Sequence, residues 1–304
     1  MVRCVLSLGF SLTFTVFAVS APAPQKEREP RFVRVLLFAG SPTREYQFLR
    51  SLLVKESERK HVALSILLQP PPGREKRRPG VDQDVPPERL LNTFPAKLDA
   101  YDAIVAFDPD WTLLSGEAHK SLHNWVCEKG GGLISIPGPV NARQLVRKDA
   151  DRKLDPLLDL LPVVLGDPRL LDKDIDTSKP RRLIFPQTEV VYPFLRLNGK
   201  VNERTAGWRD FFDQNPPGET RNGFYSYYPA ASVKPAGVVL AALDDDKARL
   251  KDGKDQPFLV IGDAKKGRVV YLGSGEVWRL RQHRREYYER FWLTLLGFLA
   301  EPRP

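Results

Sequence analysis

Cysteine is scarce in this chain of 304 residues, in which only Cys4 and Cys127 occur. Cys4 lies in an N-terminal segment that we expect to be removed after export, so the remaining chain has a single thiol. A single thiol excludes an internal disulfide, and the fold must therefore rest on its hydrophobic core. The content of 42% hydrophobic and 10% aromatic residues is sufficient for such a core and excludes wholesale disorder.

Long apolar runs are scarce as well, and the one that is present covers residues 5–19. Arg3 precedes this run and the small-x-small sequence Ala18-Val19-Ser20 ends it, which is the pattern of a secretory signal peptide. The run is shorter than the roughly 20 residues that a membrane-spanning helix needs. We therefore predict a cleaved signal at residues 1–20, with an uncleaved N-terminal anchor as the alternative.

The rest of the chain has the pattern of one exported domain. We expect residues 21–31 to form a proline-rich tether and residues 32–304 to form a single domain in the periplasm or cell envelope. No second long apolar run follows, so we expect no stable membrane span after signal removal. The formal net charge of +9 suits nucleic acid, anionic lipid or an acidic polymer, and charge alone does not choose among them, but export argues against a nucleic-acid partner.

Short apolar runs alternate with helical patterns in the first half of the domain. The runs are continuous, as in strands buried on both faces of a parallel sheet, and cover residues 33–38, 62–68, 103–107 and 133–136. Helices are predicted from Thr43 to about Ser57 and from Ser115 to about Lys129, where Gly130 ends the second. Parallel neighbours need helical crossovers, so this alternation predicts a doubly wound parallel sheet with helices on both faces.

The other segments have weaker patterns. We predict a proline-rich basic loop at residues 69–87, short helices near residues 88–94 and 154–161, and an irregular β-containing insertion at about residues 166–235. Later strands are predicted at residues 237–242, 258–262 and 269–272, with a tight turn at Lys265-Lys266-Gly267. An amphipathic helix is predicted at residues 285–300.

Two segments have motifs in a recognisable order. Residues 101–139 read YDAIVAFDPDWTLLSGEAHKSLHNWVCEKGGGLISIPGP, and residues 265–300 read KKGRVVYLGSGEVWRLRQHRREYYERFWLTLLGFLA. Both segments resemble the class I glutamine amidotransferase-like superfamily, most closely a branch of bacterial envelope proteins often found beside von Willebrand A-type domains. This resemblance implies a flavodoxin-like fold, and it implies a von Willebrand A-type envelope protein as a partner.

The resemblance does not extend to the catalytic residues of the superfamily. Active amidotransferases have a nucleophilic Cys in a G-x-C-x-G turn after a central strand and a His-x-Glu pair later in the chain. Here residues 136–140 read IPGPV, and residues 273–276 read GSGE without a preceding His. Because a thiolate and its base are both needed to form an acyl-enzyme, we expect no glutamine hydrolysis by the usual mechanism, no catalytic residue of that kind and no cofactor.

Ligands of open α/β sheets bind beyond the carboxyl ends of the strands. The predicted turns at those ends supply the candidate ligand cleft, which consists of Ser41, Arg44, Asp108, Asp110, Trp111, Gly138, Asn141, Ser274, Glu276, Trp278, Arg279 and Arg281. Asp108 and Asp110 could bind a metal ion or act as a base, or they could accept hydrogen bonds within their own turn. Glu276 with Arg279 and Arg281 could grip a carboxylate or phosphate, or form an ion-pair network that fixes the last turn.

One helix face carries His119, His123 and Cys127 at positions i, i+4 and i+8. Two ligands one turn apart could share a zinc ion, but positions eight apart are separated by about 12 Å of helix rise and cannot share one ion. We therefore expect the edge of an amphipathic helix here and no metal site.

Two clusters remain open to two interpretations each. Arg284 and Arg285 lie close in sequence to the cleft arginines, and together these could bind an anionic envelope polymer or an acidic protein face, or simply be solvated. The aromatic run of Phe224, Tyr225, Tyr227 and Tyr228 could stack on sugars or pack within the sheet.

These observations favour a non-catalytic binding or interaction module on an amidotransferase-like scaffold in the bacterial envelope. The alternative is a hydrolase or carbohydrate-active enzyme that uses the cleft carboxylates. Carboxylates that converge on one pocket would favour the enzyme, whereas carboxylates that are each bound by backbone or arginine would favour the module.

Overall fold

The computed structural model describes residues 32–70, 91, 93–146, 152–167, 177–188, 190–214 and 221–301. These residues belong to one compact unit, Arg31–Pro304. The predicted signal and tether, and all but the first two residues of the predicted basic loop, lie outside the described residues. Of the short helix predicted near residues 88–94, Leu91, Thr93 and Phe94 are described and are not helical. Phe94 instead packs its ring 5.4 Å from that of Phe38.

The described chain contains ten strands. They are β1 (Val33–Ala39), β2 (Val62–Leu68), β3 (Ala103–Phe107), β4 (Gly132–Ile136), β5 (Val163–Leu165), β6 (Arg182–Ile184), β7 (Ala230–Val233), β8 (Gly237–Asp244), β9 (Pro257–Ala264) and β10 (Gly267–Leu272). Eight of them form one sheet in the order β2-β1-β3-β4-β10-β9-β8-β6, and β5 pairs with β7 separately.

The parallel half of the large sheet confirms the predicted fold class. Strands β2, β1, β3, β4 and β10 are mutually parallel neighbours. This is the 2-1-3-4-5 order of flavodoxin-like folds. The sheet then continues with the antiparallel strands β9, β8 and β6. The change of direction occurs at the predicted turn, where Lys265 has a φ of 51° between β9 and β10.

Six α-helices accompany the sheet within the described residues: α1 (Arg44–Glu58), α2 (Gly116–Lys129), α3 (Asp155–Leu160), α4 (Trp208–Asp213), α5 (Arg279–His283) and α6 (Arg285–Ala300). The two long helices of the first half begin as predicted, because the hydroxyls of Thr43 and Ser115 accept the N–H groups of Tyr46 and Ala118. Gly130 ends α2 with a φ of 80°, a value that favours glycine. No helix among the described residues is long and apolar enough to cross a bilayer.

Successive residues of each central strand enter two different cores, one on each face of the sheet. In β1, Leu37 and Ala39 belong to the core under α1 and α6, whereas Leu36 and Phe38 belong to the core under α2 and α3. This explains why the parallel strands are continuous apolar runs and not alternating ones. Helix α6 packs on β1, β3 and β4, and α2 packs on β10.

An ion pair holds the predicted insertion to the antiparallel half of the sheet. Arg181 is 7% exposed, and its Nε lies 2.5 Å from Oδ2 of Asp245. Its Nη1 donates to the carbonyl of Tyr225 at 2.9 Å, and its backbone pairs with Phe224. A buried guanidinium without its carboxylate has a high desolvation cost, so this pair fixes where the segment at residues 221–228 runs.

We therefore predict that Asp245→Ala lowers the free energy of unfolding by about 3 kcal/mol, because it leaves the Arg181 charge buried without a partner. Asp246→Ala is the matched control, since Asp246 pairs with Arg249 at a side chain that is 94% exposed. Urea unfolding of both variants measures the difference. An equal effect of the two substitutions would show that the Arg181 ion pair does not hold the segment.

Candidate functional site

Asp108 lies at the carboxyl end of β3, in the left-handed region with a φ of 39°. Its carboxylate accepts the N–H groups of Val140 at 3.1 Å, Asn141 at 3.2 Å and Ala142 at 2.9 Å, and it also accepts the N–H of Gly138. The turn after β4 is thus wrapped around this carboxylate as a nest of backbone donors. Burial raises the pKa of Asp108 above its usual value, although the four backbone donors oppose that rise.

Two glycines allow the turns to approach Asp108 closely. A Cβ atom at Gly138 would lie 2.6 Å from Oδ2 of Asp108, and one at Gly40 would clash with the Asp108 carbonyl. That same carbonyl accepts a hydrogen bond from Nδ2 of Asn141 at 2.7 Å. The turns after β1, β3 and β4 are therefore interlocked at one point. Ser41 lies beside this point in the turn before α1, where its carbonyl accepts the N–H of Thr43.

Asp110 is bound within the next turn. Its Oδ1 accepts the N–H and the hydroxyl of Thr112 at 2.9 and 2.6 Å, and Gln144 donates to its Oδ2 at 3.4 Å. Trp111 is buried, with its ring edge-on to that of Phe38 at 5.3 Å. The Asp110 carboxylate therefore serves mainly as a helix cap.

The sequence interpretation missed Gln69, which follows β2 directly and is 8% exposed. Its side-chain oxygen accepts the N–H of Asp110 at 2.6 Å, and its amide nitrogen donates to the carbonyl of Asp110 at 2.9 Å. The only signal in the sequence was its position at a strand's carboxyl end, where it begins a proline-rich segment.

Glu276 lies in the turn after β10 and is bound by its own chain. Its carboxylate accepts the N–H of Tyr225 at 2.7 Å, the hydroxyl of Ser226 at 2.9 Å and Nε of Arg279 at 3.1 Å. Its own N–H donates to the hydroxyl of Ser274 at 3.1 Å. The Glu276 carboxylate therefore ties the turn after β10 to the segment around Tyr225.

Guanidinium groups and aromatic rings are stacked around the same turn. The Arg44 and Arg279 guanidiniums each lie 4.7 Å from the ring centre of Trp278, whose indole N–H donates to Glu45 at 3.2 Å. Arg279 also lies 4.3 Å from the ring centre of Tyr225. The guanidinium of Arg281 lies 4.6 Å from the ring centre of Phe48. Such contacts orient the arginines.

The structure therefore brings the twelve candidates to one end of the sheet, but not around one cavity. Asp108, Gly138 and Asn141 form one cluster, and the residues at and after Ser274 form another with Arg44. A groove of about 930 Å³ lies elsewhere, between α2, α3 and β5, and none of the twelve candidates lines it.

Of the helix face formed by His119, His123 and Cys127, only His123 lines that groove, whereas His119 and Cys127 are buried and do not lie on an outer edge of the helix. Nε2 of His123 lies 3.2 Å from Oδ2 of Asp159 and 3.7 Å from Sγ of Cys127. The thiol and the carboxylate thus contact the same ring nitrogen, so they do not form a thiol–imidazole–carboxylate relay. Burial raises the pKa of the Cys127 thiol. Among the described residues, no group of three or more His, Cys, Asp or Glu side chains is arranged to hold a metal ion.

The aromatic run packs mainly inward. The Phe224 ring lies 4.5 Å from that of Phe258, and Tyr225 and Tyr228 are buried. Burial also raises the pKa of Tyr227 to about 12. The Tyr271 hydroxyl donates to the Tyr228 carbonyl at 2.5 Å. By contrast, the buried Tyr228 hydroxyl has no hydrogen-bond partner among the residues that the structure describes.

The comparisons with known proteins give a fold and no function. No protein-family model and no curated protein matches the chain. Among solved structures, cytoplasmic protein STM3548 from Salmonella typhimurium is similar, with a TM-score of 0.53, 18% identity, and coverage of 89% of this chain and 99% of that one. Cytoplasmic protein STM1381 from Salmonella typhimurium LT2 has a TM-score of 0.50, 17% identity, and coverage of 88% and 100%.

A ThuA-like protein from Parabacteroides merdae is more distant, with a TM-score of 0.38, 12% identity, and coverage of 80% of this chain and 79% of that one. That similarity is too low to support an argument. The two Salmonella proteins share the fold with this chain over nearly their whole length.

We predict that Asp108→Asn lowers the free energy of unfolding by about 2 kcal/mol, because its amide nitrogen would face backbone N–H donors. Asp110→Asn is the matched control and should cost well under half as much, since its remaining oxygen still accepts from Thr112. Urea unfolding at pH 7 measures both. Equal losses would indicate that Asp108 is already protonated in the folded protein.

A second pair of variants tests the two tyrosine hydroxyls. Tyr228→Phe should leave stability unchanged or raise it by up to about 1 kcal/mol, because it removes a buried hydroxyl without a described partner. Tyr271→Phe should lower the free energy of unfolding by about 1 kcal/mol, because the Tyr228 carbonyl loses the hydrogen bond that the Tyr271 hydroxyl donates. Thermal unfolding of both variants measures the sign. Destabilisation by Tyr228→Phe would show that the hydroxyl is bonded.

Proposed function

We propose that this protein is a non-catalytic binding or interaction module on a class I glutamine amidotransferase-like scaffold that acts in the bacterial envelope. One observation carries the proposal: the carboxylate of Asp108 fills the nest of backbone N–H groups in the turn after β4. In the amidotransferases that the sequence resembles, the nucleophile lies in the turn after a central strand.

A filled nest argues against acyl transfer at this position. Such chemistry needs a nucleophile, a base and free N–H donors for the oxyanion of the intermediate. Residues 136–140 contain no Cys, Ser or Thr, and the N–H groups of Val140 and Ala142 already donate to a carboxylate. A substrate oxygen would have to displace Asp108 to reach them.

The other two carboxylates of the cleft are engaged as well. Asp110 caps its own turn, and Glu276 accepts hydrogen bonds from backbone, hydroxyl and guanidinium donors. Glycoside hydrolysis needs two carboxyl groups that face the same bond of the substrate. The arrangement favours binding over catalysis, because no pair of these carboxylates is available to one substrate.

A hydrolase or carbohydrate-active enzyme remains the second candidate, and one observation favours it. Burial raises the pKa of Asp108, as is typical of carboxyl groups that donate a proton in catalysis. Under this alternative, Asp108 would leave the nest when a substrate binds.

The envelope location and the partner rest on the sequence alone. The N-terminal pattern supports export, and the resemblance supports a von Willebrand A-type envelope protein as partner. The net charge of +9 also suits an anionic envelope polymer.

A thermal-shift screen with parallel activity assays tests the proposal. Glutamine, sugars and divalent metal ions should neither shift the melting temperature nor be turned over, whereas an interaction partner at 100 times its dissociation constant should add about 2.7 kcal/mol of stability. Asp108→Ala and Glu276→Ala are compared with the control Asp252→Ala, each against its own ligand-free melting curve. Turnover of a small molecule that only the first two substitutions abolish would establish the enzyme instead.

A further inference from the structure

Five arginines surround the turn after β10, and the structure divides them into two groups. Three are paired with carboxylates: Arg279 with Glu276 at 3.1 Å, Arg284 with Asp210 at 3.1 Å and Arg285 with Glu289 at 2.7 Å. The other two, Arg44 and Arg281, are exposed and have no carboxylate within 4.0 Å in the described part of the chain.

Arg44 and Arg281 are held in place although they are unpaired. The Arg44 guanidinium is stacked on Trp278, the Arg281 guanidinium is stacked on Phe48, and the two rings lie 6.0 Å apart. We refer to Arg44, Phe48, Trp278 and Arg281 as the arginine–aromatic surface, in which the two arginines are exposed, Phe48 is half-buried and Trp278 is buried. A stacked guanidinium keeps its N–H edge available for a carboxylate, and its restricted motion lowers the entropy lost on binding.

The position of Arg44 does not favour the stability of its own helix. Arg44 is the first residue of α1, where a positive charge opposes the helix dipole. Its neighbour Glu45 forms no ion pair with it among the described residues, and Oε1 of Glu45 instead accepts the indole N–H of Trp278. A negative group from outside the chain would satisfy both the guanidinium and this end of the helix.

We propose that the arginine–aromatic surface binds two carboxylates of a short acidic segment in a partner protein. This inference rests on the proposed function as an interaction module and names its contact surface. Arginine, tryptophan, tyrosine and phenylalanine are the residue types enriched in protein–protein interfaces, and arginine and tryptophan dominate their hot spots.

The balance of charge favours an acidic protein segment over an anionic polymer. Polyanions are bound through many dispersed positive charges, whereas three of the five arginines here are neutralised by Glu276, Asp210 and Glu289. Two unpaired, stacked guanidiniums match two carboxylates in the bidentate geometry that arginine forms.

The test uses the full chain and two fluorescein-labelled peptides of twelve residues, one alternating Glu and Gly and one alternating Gln and Gly. When the protein is titrated to about 1 mM, fluorescence anisotropy should show binding of the labelled Glu peptide and no binding of the labelled Gln peptide. Arg44→Gln/Arg281→Gln should weaken binding by at least about tenfold, as for the loss of two charge-assisted pairs. Arg209→Gln, at a side chain that is 93% exposed on α4, is the control and should leave the affinity unchanged.

Arg44→Lys/Arg281→Lys separates this geometry from charge alone, because lysine keeps the charge and loses the planar fork. The lysine variant should also lose several-fold in affinity; unchanged affinity would overturn the proposal. Failure of the wild-type chain to bind the Glu peptide, or tighter binding of a polyuronate than of the peptide, would overturn it as well. Enzymatic turnover in the separate assays would refute the interaction module without affecting a measured peptide affinity.

Discussion

The hydrogen bonds between the Asp108 carboxylate and the turn after β4 fix the carboxyl end of the sheet. They join the ends of β3 and β4, and the close approach at Gly40 adds the end of β1. The interaction requires a half-buried carboxylate and a turn that supplies several N–H groups at once. The same bonds occupy N–H groups of the turn after β4, which are therefore not free to donate to an external anion. One interaction therefore both organises the strand ends and limits the chemistry that can occur there.

Pairing within the chain continues around the rest of this surface. The Glu276 carboxylate joins the turn after β10 to residues 225 and 226. Asp210 is hydrogen-bonded to Tyr287 and His283 and forms an ion pair with Arg284. Burial alone would raise the pKa of Asp210, but these contacts together outweigh it and hold that pKa below its usual value. Groups that are satisfied internally contribute rigidity and have little left for a ligand. What this surface offers outward is the positive charge of Arg44 and Arg281, which suits the recognition role proposed above.

The sequence allowed those features to be predicted that depend on neighbours in the chain. The continuous apolar strands, the caps at Thr43 and Ser115, and the stop at Gly130 follow from local rules, and the structure confirms them. Strand β6 lies inside the insertion that was predicted to contain β-structure, but its bounds were not predicted, because its place depends on pairing with β8 about sixty residues later. The partners of Asp108 and Arg284 lie 30 to 75 residues away in the chain, so the roles of these two side chains could not be predicted without the three-dimensional structure. Gln69 was missed for the same reason.

The last helix of the chain covers the first strands. Helix α6 packs on β1, β3 and β4, and β10 pairs with β4, which lies about half the domain earlier in the chain. During synthesis β1 emerges first, and α6, one of the helices in the core of Val35 and Leu37, emerges after all ten strands, so this core is complete only when α6 is present. Folding of this sheet is therefore completed late in synthesis. A chain that terminates before α6 would expose apolar surface of the sheet and aggregate, and would not fold as a shorter stable domain.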